Sequence, residues 1–215
     1  MVYTCIDMSS ELSYKKIKQA LESVDPKLRL VFDATTSEIE PLPSVDIYAN
    51  LLESIVSQQL STKVAEIIWH RFLDLFPSQY PDPMAVLELD ITQLRGVGLS
   101  GSKSNYIQNV ARFALDNDMS LGKFGALSDA EIIEYLTTIK GVGKWTVQMI
   151  LMFPLDRPNV FPVDDLGIQT KMKYWYGLRS EKKQLKKEML DIAESWAPYK
   201  TLASKYLWAS SMTKA

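Results

Sequence analysis

Ile139-Lys-Gly-Val-Gly-Lys-Trp-Thr146 decides how this chain is read. An apolar residue, a Gly-x-Gly turn and then a helix-forming run describe a tight hairpin joining two helices. Gly141 and Gly143 supply the backbone freedom of such a turn and let another backbone approach with no Cβ in the way. The helix that follows opens with amides that have no carbonyl partner, a ready site for a phosphate oxygen. Further along stands the pair Asp164-Asp165. A plain binding hairpin has no need of a carboxylate there, so the combination points to a DNA-binding element coupled to a catalytic acid.

Working outward, the pattern is helical on both sides. Ser128-Asp-Ala-Glu131 fits a capping box that leads into Ile132–Thr137. Lys144–Phe153 follows the hairpin and stops before Pro154, and after a proline-bearing connection Asp165 opens a helix to about Tyr176. Two more helices are expected over Glu181–Ser195 and Pro198–Ser210. Upstream, Leu12–Val24 and Ile47–Val56 repeat apolar residues at helical spacing. Ser57-Gln-Gln-Leu-Ser61 interrupts, and Ser61 can cap a helix to about Leu75. Asp82-Pro83 is an N-cap with proline at the first helical position. Asp90 caps a short helix, and Ser102 starts a segment ending near Asp116. No strand series appears, so the fold class is all-α. Leu94-Arg-Gly-Val-Gly98 echoes the hairpin, but no acidic pair follows it at a comparable distance, and a structural corner is the favoured reading. Pro41-Leu-Pro43 reads as a joint between subdomains.

At 215 residues and 47% hydrophobic, the chain can bury a substantial core as one domain or two intimate subdomains. No run approaches the ~18 apolar residues of a membrane span, and the first residues lack the blocks of a secretory signal. The single cysteine, Cys5, excludes an internal disulfide and a four-cysteine iron–sulfur cluster. The single histidine, His70, leaves no His/Cys zinc site. A soluble intracellular protein with no metal and no cofactor is expected, nuclear in a eukaryote or cytoplasmic in a prokaryote. Net charge is -2, from 24 basic and 26 acidic side chains, which argues against an extensive electrostatic wrapper of DNA. Helix amides and a few lysines (Lys140, Lys144, Lys171, Lys173) can still hold phosphates, although any one of them can equally be a solvated charge.

The blocks Ile55-Val-Ser-Gln-Gln-Leu-Ser61, Leu94–Gly98, Ile139–Thr146, Val160-Phe-Pro-Val-Asp-Asp-Leu-Gly167 and Trp196-Ala-Pro-Tyr-Lys-Thr201 occur in that order. In this they resemble the helix-hairpin-helix DNA glycosylase superfamily, specifically its 3-methyladenine DNA glycosylase II branch. The resemblance implies a single glycosylase domain of two helical subdomains, approximately 45–130 and 1–40 plus 131–215, flanking a cleft. It implies Asp165 as the catalytic residue; on the residues alone, catalysis and helix capping are even, and Asp164 could take the capping role. It implies Trp145 and Trp208 as walls of a base pocket, where core packing is otherwise the commoner fate of a tryptophan. Met149 stands where the family often has an aromatic. Gln59 matches the residue that plugs the duplex, with Gln58 beside it, against the alternative of a polar helix-breaking turn. Gly141, Gly143, Lys144 and Thr146 would bind DNA phosphate.

The chemistry so implied is coherent. Breaking the bond between sugar C1′ and a base nitrogen develops positive charge on the deoxyribose, which a carboxylate stabilises. A base alkylated at a ring nitrogen is already cationic and leaves without a general acid, and an aromatic pocket favours it. The target must be rotated out of the duplex and the hole plugged. Bifunctional relatives carry a Schiff-base lysine directly before the position of Thr146; here it is Trp145, and Lys144 is turned about 100° away. The expectation is a monomeric, monofunctional enzyme acting on double-stranded DNA with alkylated purines. The alternatives are a non-enzymatic helix-hairpin-helix DNA-binding module and, within the enzymes, a glycosylase for oxidised or deaminated bases.

Overall fold

The computed structural model describes residues 11–36, 39 and 46–212. Cys5 and the Pro41-Leu-Pro43 break lie outside them. Every regular element among the described residues is an α-helix: α1 (Glu11–Val24), α2 (Pro26–Asp33), α3 (Ile47–Ser57), α4 (Thr62–Leu73), α5 (Pro83–Glu88), α6 (Ile91–Gly96), α7 (Gly101–Asp116), α8 (Leu121–Ala126), α9 (Asp129–Thr137), α10 (Lys144–Met152), α11 (Leu166–Tyr176), α12 (Lys182–Glu194) and α13 (Lys200–Ala209). None is long and apolar enough to cross a membrane.

Short polar side chains start most of these helices by binding their open amides. The Asp82 carboxylate accepts from the amides of Met84 and Ala85 ahead of Pro83. Asp90 with Gln93, and Ser128 with Glu131, close reciprocal capping boxes. Two helices escape the sequence reading. α2 uses the same device as α5, Asp25 capping ahead of Pro26. α8 is short and contains two glycines, so only its Ser120 cap marks it. α7 is capped by Ser100 and not started by Ser102, because it is the Ser100 hydroxyl that receives the Lys103 amide.

The chain forms two compact units, one of residues 1–43 with 156–215 and one of residues 44–155. The expected division near residue 130 is therefore corrected: α9, the hairpin and α10 belong with the second unit. The reason lies in α10, whose residues from Thr146 to Met152 are all buried. A helix without a polar face needs walls on several sides, and α3 and α9 supply two of them. The first Gly-Val-Gly turn is a packed corner, with Gly98 at φ +110° and its Cβ position 3.2 Å from Ile68 Cγ1.

In the first unit α1, α2 and α11–α13 enclose Leu28, Val31, Ile168, Met172, Met189 and the fully buried Trp196. Asp25 lies in this core and is satisfied by Tyr176 Oη at 2.6 Å and Trp196 Nε1 at 2.9 Å besides its capping bond. Burial and this carboxylate push the Tyr176 phenol far above its ordinary pKa. The connection leading to Asp164-Asp165 is pinned from α13. Thr201 Oγ1 accepts from the Val160 amide at 3.0 Å, the Thr201 amide donates to Pro158 O at 2.9 Å, and buried Lys205 pairs with Asp156 at 2.9 Å. The Trp196–Thr201 block thus serves to hold the chain that delivers the acidic pair.

Candidate functional site

In the second unit the hairpin is built as its glycines foretell. Ile139 and Val142 are buried and anchor the turn, with the Val142 amide on Ile139 O at 3.0 Å. Asn109 Nδ2 holds Lys140 O at 2.9 Å. The two glycines do different work. Gly141 has φ +107°, and a Cβ there would lie 2.2 Å from Tyr106 Cγ, so only glycine fits. Gly143 is the N-cap of α10 at φ −94°, and a Cβ added to it would meet nothing within 4 Å. Its surroundings are open to an incoming group. No side chain caps α10, so its first amides point into that space, with Lys140 and Lys144 exposed nearby.

The Thr146 side chain packs inward, while its amide belongs to the open first turn of α10. The residue is 1% exposed, and its hydroxyl accepts a hydrogen bond from Gln58 Nε2 at 3.1 Å. The hydroxyl ties α10 to the α3–α4 turn, which leaves the Thr146 amide as the group that could meet a phosphate. Trp145 is half-buried on α10, and Lys144 is solvent-exposed. Met149 is buried.

The turn between α3 and α4 separates the two glutamines. Gln58 is half-buried and faces inward to Thr146. Gln59 is exposed at φ +58°, a left-handed conformation uncommon for a residue with a Cβ. Strain of this kind persists where the surroundings enforce it, and it concentrates at functional positions. His70 is exposed in the last turn of α4.

In the first unit Asp165 is the N-cap of α11 and something more. Its Oδ1 accepts both the Ile168 amide and Trp208 Nε1, each at 2.8 Å. Trp208 was expected as a pocket wall; the structure shows its indole N–H bound to the carboxylate. Asp164 does not take over the capping. It pairs instead with Lys186 at 2.6 Å, so both halves of the acidic pair have roles the sequence left open. The close approach of Trp208 depends on Gly167, where a Cβ would sit 3.0 Å from Asp165 Oδ1 and 3.1 Å from Trp208 Nε1. Gly167 was missed as a site residue, yet a glycine in a first helical turn, where alanine propagates better, is the legible sign of a close contact. Trp175 Nε1 bonds Ser210 Oγ at 3.0 Å and Lys171 Nζ bonds the Ser210 carbonyl, fixing the end of α13 just past Trp208. Burial pulls the Lys171 pKa below its ordinary value. Lys173 pairs with Glu181. Lys171 and Lys173 are therefore engaged within the protein, unlike the exposed Lys140 and Lys144.

A helix-hairpin-helix with an open N-cap glycine and a carboxylate gripped by two N–H donors define the class. Residues 52–198 match the family model of the HhH-GPD superfamily base excision DNA repair protein, and the chain belongs to that superfamily. DNA-3-methyladenine glycosylase 1 of Schizosaccharomyces pombe is 36% identical over 166 residues, 76% of this chain and 72% of that protein. The alkylbase DNA glycosidase-like protein mag2 of the same yeast is 32% identical over 205 residues, covering 94% and 95% of the two chains. The Bacillus subtilis relative YfjP is 36% identical over 170 residues, but this chain spans only 58% of its length. Among solved structures, the 3-methyladenine DNA glycosylase Mag1 of S. pombe in complex with abasic DNA superimposes with a TM-score of 0.81 at 31% identity, over 90% of this chain and 95% of that one.

Proposed function

We propose that this protein is a monofunctional DNA glycosylase of the 3-methyladenine DNA glycosylase II type, removing alkylated purines such as 3-methyladenine and 7-methylguanine from double-stranded DNA. The observation that carries this reading is Asp165: a simple DNA-binding module has no use for a carboxylate held by both an indole and a helix amide. The bond between C1′ and the base nitrogen breaks with its electron pair going to the base, which leaves neutral because it was cationic. Positive charge gathers on the sugar, where Asp165 stabilises it. Water then adds to C1′ and releases a proton. The hairpin amides with Lys140 and Lys144 hold phosphate, Gln59 enters the duplex in place of the extruded nucleotide, and Trp145 stacks on the cationic base. The protein acts as a monomer inside the cell and needs no metal or cofactor.

The test is incubation with methylated duplex DNA and chromatographic identification of the released bases. Free 3-methyladenine or 7-methylguanine, with an intact strand carrying an alkali-labile abasic site, is the expected product. Borohydride present during the reaction should trap nothing, since the Schiff-base position is Trp145. A covalent adduct that depends on Lys144 would contradict the monofunctional reading, and binding without any base release would leave only the DNA-binding module.

A further inference from the structure

The turn that presents Gln59 is held from within by a lysine that the proposed reaction does not use. Lys103, in the first turn of α7, sends its ammonium to the carbonyl oxygens of Val56 at 2.8 Å and Gln58 at 2.7 Å. These oxygens lie at the C-terminal end of α3, where carbonyls lack intrahelical donors and the helix dipole favours a cation. A lysine in the outer turn of a helix ordinarily sends its ammonium to water; this one turns inward and its pKa is lowered by burial. The Gln58 side chain is the second anchor, bonded to Thr146 in the first turn of α10. Directly after these fixed points stands Gln59, at φ +58° with its side chain exposed.

We infer that Lys103 is a positioning residue for duplex insertion: it locks the α3–α4 turn so that Gln59 stands ready, and with the Gln58–Thr146 bond it joins this turn to α10, the helix that follows the hairpin. Phosphate capture at the hairpin and insertion at the turn then involve one pre-formed piece, with no ordering left for the moment of extrusion. The inference rests on Gln59 being the plug.

The experiment is single-turnover excision of 7-methylguanine, placed opposite cytosine or opposite a mismatched thymine, by the full chain. The proteins compared are wild type, Lys103→Met, Lys103→Arg, Gln59→Ala and the Lys103→Met/Gln59→Ala double variant. Lys103→Met should slow the paired substrate about tenfold, the loss expected when hydrogen bonds from a charged donor go. It should barely affect the mismatched substrate, which is already easier to extrude. Lys103→Arg, which keeps charge and donors, should recover most of the rate. In the Gln59→Ala background the methionine should add no further loss, because the lysine acts only through the residue it positions. Equal losses on both substrates, full additivity with Gln59→Ala, or no loss would overturn the role. If Gln59→Ala alone excises the paired lesion normally, the plug assignment fails in a protein whose Lys103 is intact, and the positioning role falls with it. If wild type releases no 7-methylguanine, it is the glycosylase reading that has failed. Should Lys103→Met not give a cooperative thermal transition, Lys103→Gln, which retains a donor, is read by the same comparison.

Discussion

A carboxylate that begins a helix is judged by what its oxygens touch. Asp165 receives two donors on one oxygen, one from its own helix and one from an indole 43 residues away in sequence. Asparagine has an acceptor in the same place and caps helices as well as aspartate does. Asp165→Asn should therefore keep the melting temperature and DNA affinity but lose about 10²–10³ in single-turnover excision, the usual effect of removing one electrostatic stabiliser. Asp164→Asn removes only a half-exposed ion pair with Lys186. It should excise normally and lose at most about 1 kcal/mol of stability; the reverse pattern would reassign the pair. Trp208→Phe separates positioning from base recognition. It keeps an aromatic ring and deletes the N–H, so excision should fall about tenfold for every lesion alike. A changed order of preference among methylated bases would instead mean that Trp208 selects the base. The acidic pair was legible in the sequence because helix starts and catalysis both call for aspartate. The indole partner was not, because a hydrogen bond across so long a stretch of chain has no local pattern.

Among the elements, the hairpin was the most legible, since a Gly-x-Gly turn answers to backbone geometry and not to distant neighbours. Even so, its glycines differ in kind: Gly141 is excluded from carrying a Cβ by Tyr106, while Gly143 faces open space. That difference makes Gly143→Asp informative. Aspartate is a favoured N-cap and should stabilise α10 by a few tenths of a kcal/mol, yet it puts a negative charge where phosphate is expected. Fluorescence anisotropy should show weaker binding to damaged and undamaged duplexes alike, while the thermal midpoint holds or rises slightly. Unchanged affinity for an abasic-site duplex would remove the hairpin from DNA binding. The capped helices were legible for the same local reason, as Asp82-Pro83 and the box at Ser128–Glu131 show. α2 carries the same signal at Asp25-Pro26 and was available to be read. The Thr146 hydroxyl was not, because its role depends on Gln58, 88 residues earlier.

At the scale of the whole molecule, local signals give way to packing. The division into units follows how α10 finds walls against α3 and α9; the prolines from Pro154 to Pro162 mark a connection there, but not which unit α10 packs into. Net charge is the one global property that the sequence states outright, and it carries a quantitative expectation. A net charge of -2 argues against a broad basic face for DNA. In the proposed function, affinity comes from a few phosphates held by amides at the hairpin and by Lys140 and Lys144, while Lys171 and Lys173 are engaged elsewhere. Only cationic contacts release counterions in proportion to their number, so the salt dependence should be shallow. With about two phosphates neutralised, by Lys140 and Lys144, log affinity against log salt should have a slope of about −2. The measurement is anisotropy with an abasic-site duplex between about 50 and 200 mM salt, the range over which larger footprints lose several decades. Lys140→Ala with Lys144→Ala should flatten the slope by up to about 2 while leaving relative preference among lesions unchanged. A wild-type slope of about −8 or steeper would require a cationic surface that the exposed lysines of the hairpin cannot supply.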